Sequence, residues 1–383
     1  MTSKPRVMTV YGTRPEAIKV APVIKAIESS GTLVSVTVVT GQHRSMLDQV
    51  NEIFGIVPDQ DLDVFEHGQG LNQLAAKVLH RIDPVLQEVA PDAVLVQGDT
   101  TTVAAASLAA FYRQIPVVHL EAGLRSGDIH SPFPEEANRR ITTQVTALHL
   151  APTPTSRANL LREGVDPSTV AVTGNTVIDA LFHTVEQQVP FTDERLARLV
   201  EGDRRLLLVT THRRENWGEA MEGVGRALRR LAERYPDADI LLPAHANPLV
   251  RQSVLPHLEG LTNVLVTEPL AYGEFTRVMD RAHVVLTDSG GVQEEAPSLG
   301  KPVLVMRENT ERPEAVEAGT VRLIGTDEER IVTEVSTLFD DTAAHAAMAN
   351  AVNPYGDGQA AARSVAAIEQ MLGRGSRLPD FGG

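Results

Sequence analysis

The chain has 383 residues, 42% hydrophobic and 22% charged, with no cysteine. Length divided by ~150 gives two or three domains, and the missing cysteine excludes disulfide scaffolds, thiolate metal sites and thiol nucleophiles. With 35 Lys and Arg against 50 Asp and Glu, the net charge of −15 speaks against a general nucleic-acid or anionic-membrane binder, whose affinity comes from a basic surface, while leaving room for a local cationic pocket.

The N-terminus runs into an apolar stretch at 7–10 that is too short for a signal peptide or a spanning helix. No segment approaches ~18 uninterrupted apolar residues, so a soluble, cytoplasmic protein is expected. Apolar, β-branched runs predict strands at 7–11, 34–39, 93–97, 117–120, 148–151 and 170–173. A second set falls at 206–210, 240–242, 264–267, 284–287, 303–306 and 321–324. Helices fit between them at 15–29, 101–112, 134–143, 155–163, 219–234, 275–281, 292–299 and 328–339. Near-continuous apolar strands alternating with helices imply parallel sheets covered on both faces. The expected fold class is therefore α/β, with two Rossmann-like doubly wound domains facing a cleft. The first domain is expected over 1–175 and the second over 176–358, with a helix at 359–372 returning to the first. A glycine-rich tail, 373–383, is expected to be flexible.

Open α/β sheets bind ligands at the carboxyl ends of their strands, and polar or charged residues follow nearly every strand here. Gly12-Thr-Arg-Pro-Glu16, with Lys19 one turn on, follows the first. Gly98-Asp-Thr-Thr-Thr102 and Glu121-Ala-Gly-Leu-Arg125 follow the third and fourth; Thr211-His-Arg-Arg-Glu215, Asp288-Ser-Gly-Gly291 and Arg307 follow strands of the second set. Singly, each reads as a turn or a helix cap; their accumulation on one edge of both sheets favours a cleft site. Ser289-Gly290-Gly291, between a strand and a helix, suits a phosphate approaching backbone N–H groups at a positive helix end. Asp99, Glu121, Glu135 and Glu136 supply carboxylates for acid/base work, since converging carboxylates raise one another's pKa. Arg139, one turn after Glu135, can meet it on one helix face. Thr13-Arg-Pro-Glu-Ala17 and Glu311-Arg-Pro-Glu-Ala315 both suit helix starts, with Pro and an early Glu in the first turn. Gly356-Asp-Gly358-Gln-Ala-Ala361 matches a dinucleotide fingerprint but follows no strand, so it is rejected. Asp61-Leu-Asp63 and Asp237-Ala-Asp239 sit in turn-like contexts, and the 12 His show no metal-ligand spacing.

Seven motifs occur in order: Gly12-Thr-Arg-Pro-Glu-Ala17, Thr40-Gly-Gln-His43, Gly98-Asp-Thr-Thr-Thr102, His119-Leu-Glu-Ala-Gly-Leu-Arg125, Pro134-Glu-Glu-Ala-Asn-Arg139, Thr211-His-Arg-Arg-Glu215 and the run from Asp288 to Pro302. Arg312-Pro-Glu-Ala315 and Gly319-Thr-Val-Arg-Leu323 follow. Together, over about 7–359, they closely resemble the non-hydrolysing UDP-N-acetylglucosamine 2-epimerases of bacteria. The resemblance implies a glycosyltransferase-like (GT-B) fold with the site between its domains, a homodimer, and no metal or other cofactor. It implies interconversion of UDP-GlcNAc and UDP-ManNAc through a bound glycal, a supply that suits surface polysaccharide biosynthesis, a teichoic-acid linkage or a secondary metabolite alike. By similarity the catalytic residues are Asp99, Glu121, Glu135, Arg139 and His212. Arg14, Lys19, His212, Phe275, Ser289, Gly290, Gly291, Glu295 and Arg312 would bind substrate and UDP, Glu295 at the ribose.

One subgroup of the family carries a second UDP-GlcNAc as an activator. Gln42, Glu136, Arg213 and His245 match that site, but Gly41, Ser45 and Gly68 stand where Ala, Gln and Arg are expected. Three alternatives share parts of the pattern: a hydrolysing relative that releases UDP and ManNAc, a glycosyltransferase of the same fold, and a silent sugar-nucleotide sensor. The intact Asp99, Glu135 and Arg139 motifs favour the non-hydrolysing enzyme, and no amphipathic basic stretch marks an acceptor groove.

Overall fold

The computed structural model describes residues 3–41, 44–66, 68–211, 219–244, 247–310 and 312–382. Strands form on the uninterrupted apolar runs, because a strand covered on both faces has no solvent side to keep polar. In chain order the first elements are β1 (Arg6–Tyr11), α1 (Arg14–Ser30), β2 (Val34–Val39), α2 (Arg44–Phe54), β3 (Gln60–Asp61), α3 (Leu71–Val89), β4 (Ala93–Gln97) and α4 (Thr101–Tyr112). β5 (Val117–Leu120), α5 (Glu135–Val145), β6 (Thr146–Ala151), α6 (Pro154–Arg162), β7 (Val170–Val172) and α7 (Thr176–Glu186) follow. Next come α8 (Glu194–Glu201), β8 (Arg205–Thr210), α9 (Glu219–Arg234), β9 (Ala238–Pro243), α10 (Pro248–Leu258), β10 (Val264–Thr267) and α11 (Tyr272–Arg281). The chain ends with β11 (Val284–Thr287), α12 (Gly290–Glu295), β12 (Val303–Val305), α13 (Pro313–Glu317), β13 (Val321–Leu323), α14 (Glu328–Asp340), α15 (Thr342–Ala349) and α16 (Ala360–Met371).

The chain divides into two units, Met1–Ala180 with Tyr355–Gly383, and Leu181–Pro354. The first holds a parallel sheet in the order β3-β2-β1-β4-β5-β6-β7. Its core packs Met8, Val10, Val94 and Val96 of the sheet against Leu74, Val78, Ile82 and Leu86 of α3. Those four, spaced by four, form the buried stripe that makes α3 a helix. The second unit holds a parallel sheet in the order β10-β9-β8-β11-β12-β13. The strand order reverses between β1 and β4 in one sheet and between β8 and β11 in the other. Each reversal opens a crevice at the carboxyl ends of its two central strands.

Local chemistry sets the helix ends that face these crevices. Thr13 caps α1 in a capping box with Glu16, and Pro15 stands in the first turn. Pro313 likewise stands in the first turn of α13, without a side-chain capping bond. The helix expected at 292–299 divides into α12 and a 3-10 turn, Ala296–Leu299, because Pro297 cannot donate the N–H that would continue α12.

The last helix, α16, packs on α1. Its first N–H groups, from Ala360 and Ala361, donate to the Asp179 carboxylate at 3.2 and 2.8 Å. The tail, expected to fray, is instead tied to β7. Phe381 donates its N–H to the Val172 carbonyl at 2.8 Å. Asp380 Oδ1 accepts from Val172 N–H at 3.1 Å, and Arg377 Nη1 donates to the Val170 carbonyl at 2.8 Å. β7 is the outer strand of its sheet, and its open backbone groups are what the tail satisfies.

Candidate active site

In the first unit, three strand ends converge on charged side chains. Leaving β1, the buried Glu16 accepts from the backbone N–H of Gly12 (2.9 Å) and Thr13 (2.7 Å) and from the Thr100 hydroxyl (2.6 Å). It thereby ties the β1 and β4 loops together. Burial pushes its carboxyl up, and the donors from Thr100, Gly12 and Thr13 counter that. Leaving β5, Glu121 stands at φ 65°, a left-handed conformation that costs a non-glycine residue about 1 kcal/mol or more. Such strain persists only where the surroundings hold it. Lys19 of α1 places its Nζ 2.6 and 2.7 Å from the two Glu121 oxygens, and Gln97 Nε2 donates to Oε2. Two residues on, Gly123 has φ +93°, and a Cβ there would lie 2.3 Å from the Ser156 carbonyl oxygen, so only glycine fits the turn.

Leaving β4, Asp99 is gripped at its side chain and its backbone. Arg139 of α5 donates to Asp99 Oδ2 through Nε (2.9 Å) and Nη2 (2.6 Å). Asn138 Nδ2 donates to the Asp99 carbonyl at 2.8 Å. The peptide before it is held by His119, whose Nε2–H donates to the Gly98 carbonyl at 2.8 Å. Burial drives the His119 pKa down to about 3, with the Gly98 hydrogen bond opposing. Its Nδ1 has no hydrogen-bond partner among the described residues, so the ring is a neutral brace.

The Glu135–Arg139 pair expected from helical spacing does not form. Arg139 Nη1 donates to Glu136 at 3.0 Å, while its other nitrogens take Asp99. Both glutamates lie within reach of position 139 along the helix; the position of Asp99 turns the guanidinium toward Glu136. The fully buried Glu136 also accepts from Ser126 N–H and Arg140 Nε. Burial opposes its charge, yet the Ser126, Arg139 and Arg140 donors together hold its carboxyl below the usual range. Glu135, half-buried at the start of α5, makes no ion pair or side-chain hydrogen bond with a described residue, and neither does Arg14 at the start of α1. A carboxylate and a guanidinium thus stand beside the strand ends without partners among the described residues.

In the second unit, β11 is followed by the fully buried Asp288, and Ser289 caps α12. Gly290 admits Arg312: a Cβ at position 290 would lie 2.7 Å from Arg312 Nη1. Arg312 Nε donates to Glu294 at 2.6 Å. The hydroxyl of Tyr272, on α11, donates to Glu295 Oε1 at 2.9 Å. Asn353 Nδ2 donates to the Glu294 carbonyl at 2.8 Å, and Thr310 donates to Gln293 at 2.8 Å. Three consecutive residues of α12 are therefore held by separate elements, while Gly291 stays exposed. Phe275 is half-buried on α11. His212, Arg213, Gln42 and His245 lie outside the described residues.

Lys19, expected to complete the nucleotide pocket, pairs with Glu121. Sequence reasoning missed Gln97 and Tyr272, whose signal is a polar side chain ending or following an apolar strand. The Asp61 and Asp63 pair closes its own turn, with Asp63 N–H on Asp61 Oδ1, and Asp237 and Asp239 face Arg205 and Arg204. No group of three or more potential metal ligands occurs among the described residues. No described helix is long and apolar enough to cross a membrane.

Comparison with known proteins places this geometry in a family. The family model described as UDP-N-acetylglucosamine 2-epimerase matches residues 25–369. The UDP-N-acetylglucosamine 2-epimerase of Escherichia coli K12 is 51% identical over 370 residues, 95% of this chain and 98% of that protein. A crystal structure of a UDP-N-acetylglucosamine 2-epimerase superposes with a TM-score of 0.93 at 45% identity, covering 100% of both chains. The Neisseria meningitidis UDP-GlcNAc 2-epimerase, solved bound to UDP-GlcNAc, gives 0.84 at 45% identity over 96% of this chain and 100% of that one. The glycosyltransferase SnogD from Streptomyces nogalater, at 15% identity and a TM-score of 0.58 over 97% of this chain and 100% of its own, shares the fold alone. The fold is of the GT-B, glycosyltransferase-like class, and the chain belongs to the UDP-N-acetylglucosamine 2-epimerase family.

Proposed function

We propose that the protein interconverts UDP-GlcNAc and UDP-ManNAc without hydrolysis. One carboxylate removes the proton on carbon 2 while the carbon 1–oxygen bond breaks and its electron pair leaves with UDP. The products held in the site are UDP and 2-acetamidoglucal. A UDP oxygen then re-forms the bond to carbon 1 as a proton is delivered to the opposite face of carbon 2. Inversion needs proton-transferring groups on both faces of the ring, which calls for more than one carboxylate.

The observation that carries this reading is the pairing of Asp99 with Arg139 and of Glu121 with Lys19 at neighbouring strand ends. Each carboxylate is held by a cation from another element. Asp99 Oδ1 takes no bond from a described residue, so it is open to a ligand. Glu135 would supply the third carboxylate. Arg14 and His212 would stabilise the departing diphosphate, with Arg312 and the backbone at Ser289–Gly291. Glu295 would accept from the ribose hydroxyls and Phe275 would pack on the nucleotide. The family match and the UDP-GlcNAc bound by the Neisseria relative support this substrate. The chain is read as a cytoplasmic homodimer feeding polysaccharide synthesis; light scattering at about twice 41.4 kDa would support the dimer, and a single copy would refute it.

The reaction is tested by ion-exchange separation of the products from UDP-GlcNAc, with a rapid-quench series. UDP-ManNAc accumulating without free amino sugar, with transient UDP and 2-acetamidoglucal, is expected. Free ManNAc and stoichiometric UDP would make the protein a hydrolysing enzyme instead.

A further inference from the structure

Lys19 supplies the opposite charge at Glu121 but does not by itself fix the carboxylate's orientation. Lys19 Nζ contacts both carboxylate oxygens at nearly equal distances, 2.6 and 2.7 Å. An ammonium is a compact charge with three rotatable donors, so this contact leaves the carboxylate plane able to turn about the Lys19 direction. A second donor from another element breaks that symmetry. Gln97, the last residue of β4, is 3% exposed and donates through Nε2 to Oε2. Its NH2 end must face the carboxylate, since the carbonyl end would set acceptor against acceptor. Burial removes water as an alternative partner, so the amide's orientation is settled by this contact.

Sheet register places both groups. Gln97 pairs with Leu120, the residue before Glu121, and Gly98 N–H donates to the Leu120 carbonyl at 3.0 Å. Donor and acceptor therefore arise from adjacent, hydrogen-bonded strands. Glu121 is held at φ 65°, where its backbone alone would relax.

We propose that Gln97 is a positioning residue for Glu121, fixing the plane of a carboxylate that exchanges a proton at carbon 2 of the sugar. This rests on the reading of the site given above. Gln97 acts through Glu121, and proton transfer depends steeply on the alignment of the transferring group.

A double-mutant cycle tests it, with turnover of UDP-GlcNAc and calorimetric UDP binding as readouts. Gln97→Met keeps the length and Gln97→Leu keeps the branch, and neither side chain has a donor. Each is expected to lower kcat about tenfold or more, with KM and UDP affinity within about threefold. In a Glu121→Gln background the Gln97→Met change is expected to cost less than about twofold, because the group it positions is gone. A purely structural role would give equal losses in both backgrounds and weaker UDP binding, and that result overturns the proposal. Unchanged kcat in both single variants overturns it as well. A wild-type protein inert toward UDP-GlcNAc would instead overturn the reading of the site itself, and the proposal with it.

Discussion

The carboxyl ends of the two sheets are built differently. At the first, charged side chains are fixed one by one: Asp99 by Arg139 and Asn138, Glu121 by Lys19 and Gln97, Glu136 by Ser126, Arg139 and Arg140. At the second, Gly290 lets a guanidinium close in, and Gln293, Glu294 and Glu295 are braced from Thr310, Arg312 and Tyr272. Oriented carboxylates suit proton transfer. A braced, glycine-opened helix start beside an arginine suits an anion that arrives and leaves. On the proposed function, one fold type used twice would supply two chemistries through the different residues that follow its strands.

The comparison breaks most visibly if the first sheet is disarmed. Asp99→Asn, Glu121→Gln and Glu135→Gln are each expected to lower kcat by about 10²–10⁴-fold, with UDP binding by calorimetry within about threefold. Near-wild-type turnover in all three would end the acid/base assignment. The second sheet should show the converse. Arg312→Ala is expected to weaken UDP binding about tenfold or more, the loss of about 1.4 kcal/mol. Gly290→Ala should act in the same direction, since its methyl would meet Arg312. UDP affinity unchanged in both would remove this crevice from the nucleotide site.

A smaller effect concerns the neutral His119. Its folded pKa of about 3 lies below its unfolded value. The unfolded chain therefore binds the extra proton first as pH falls. Stability from this group is intact above about pH 6.5 and is lost progressively toward pH 3, on the order of a few kcal/mol in all. His119→Gln is expected to flatten that part of the stability curve in denaturant titrations at several pH values; parallel curves would contradict a buried neutral histidine. The smallest effect is at the tail. Removal of residues 374–383 is expected to lower Tm by about 2–4 °C and leave turnover unchanged. A variant with unaltered melting would show that the β7 contacts contribute nothing.

Much of this organisation is legible from residue type alone. Strand runs such as Ala93–Gln97 and Val284–Thr287 announce themselves, because both faces are buried, and once the sheets are parallel their carboxyl ends follow. β3 escaped notice because its two residues, Gln60 and Asp61, are polar and exposed and pair only through backbone. The partner of Arg139 was not readable, since Glu135 and Glu136 both fit helical spacing and a residue 40 positions away decides between them. Lys19 and Glu121 are 102 positions apart, and no local pattern joins them. The tail reads as frayed by composition, and only the open edge of β7 explains why it is held.

The most direct measurement is proton NMR of the purified protein with UDP-GlcNAc in deuterated water, with no metal or acceptor added. Deuterium entering at carbon 2 while UDP-ManNAc accumulates to a stable mixture is the predicted result, because it reports proton removal and reversible re-addition together. Conversion to UDP-ManNAc with the carbon 2 proton retained, or an unchanged spectrum, would contradict the account.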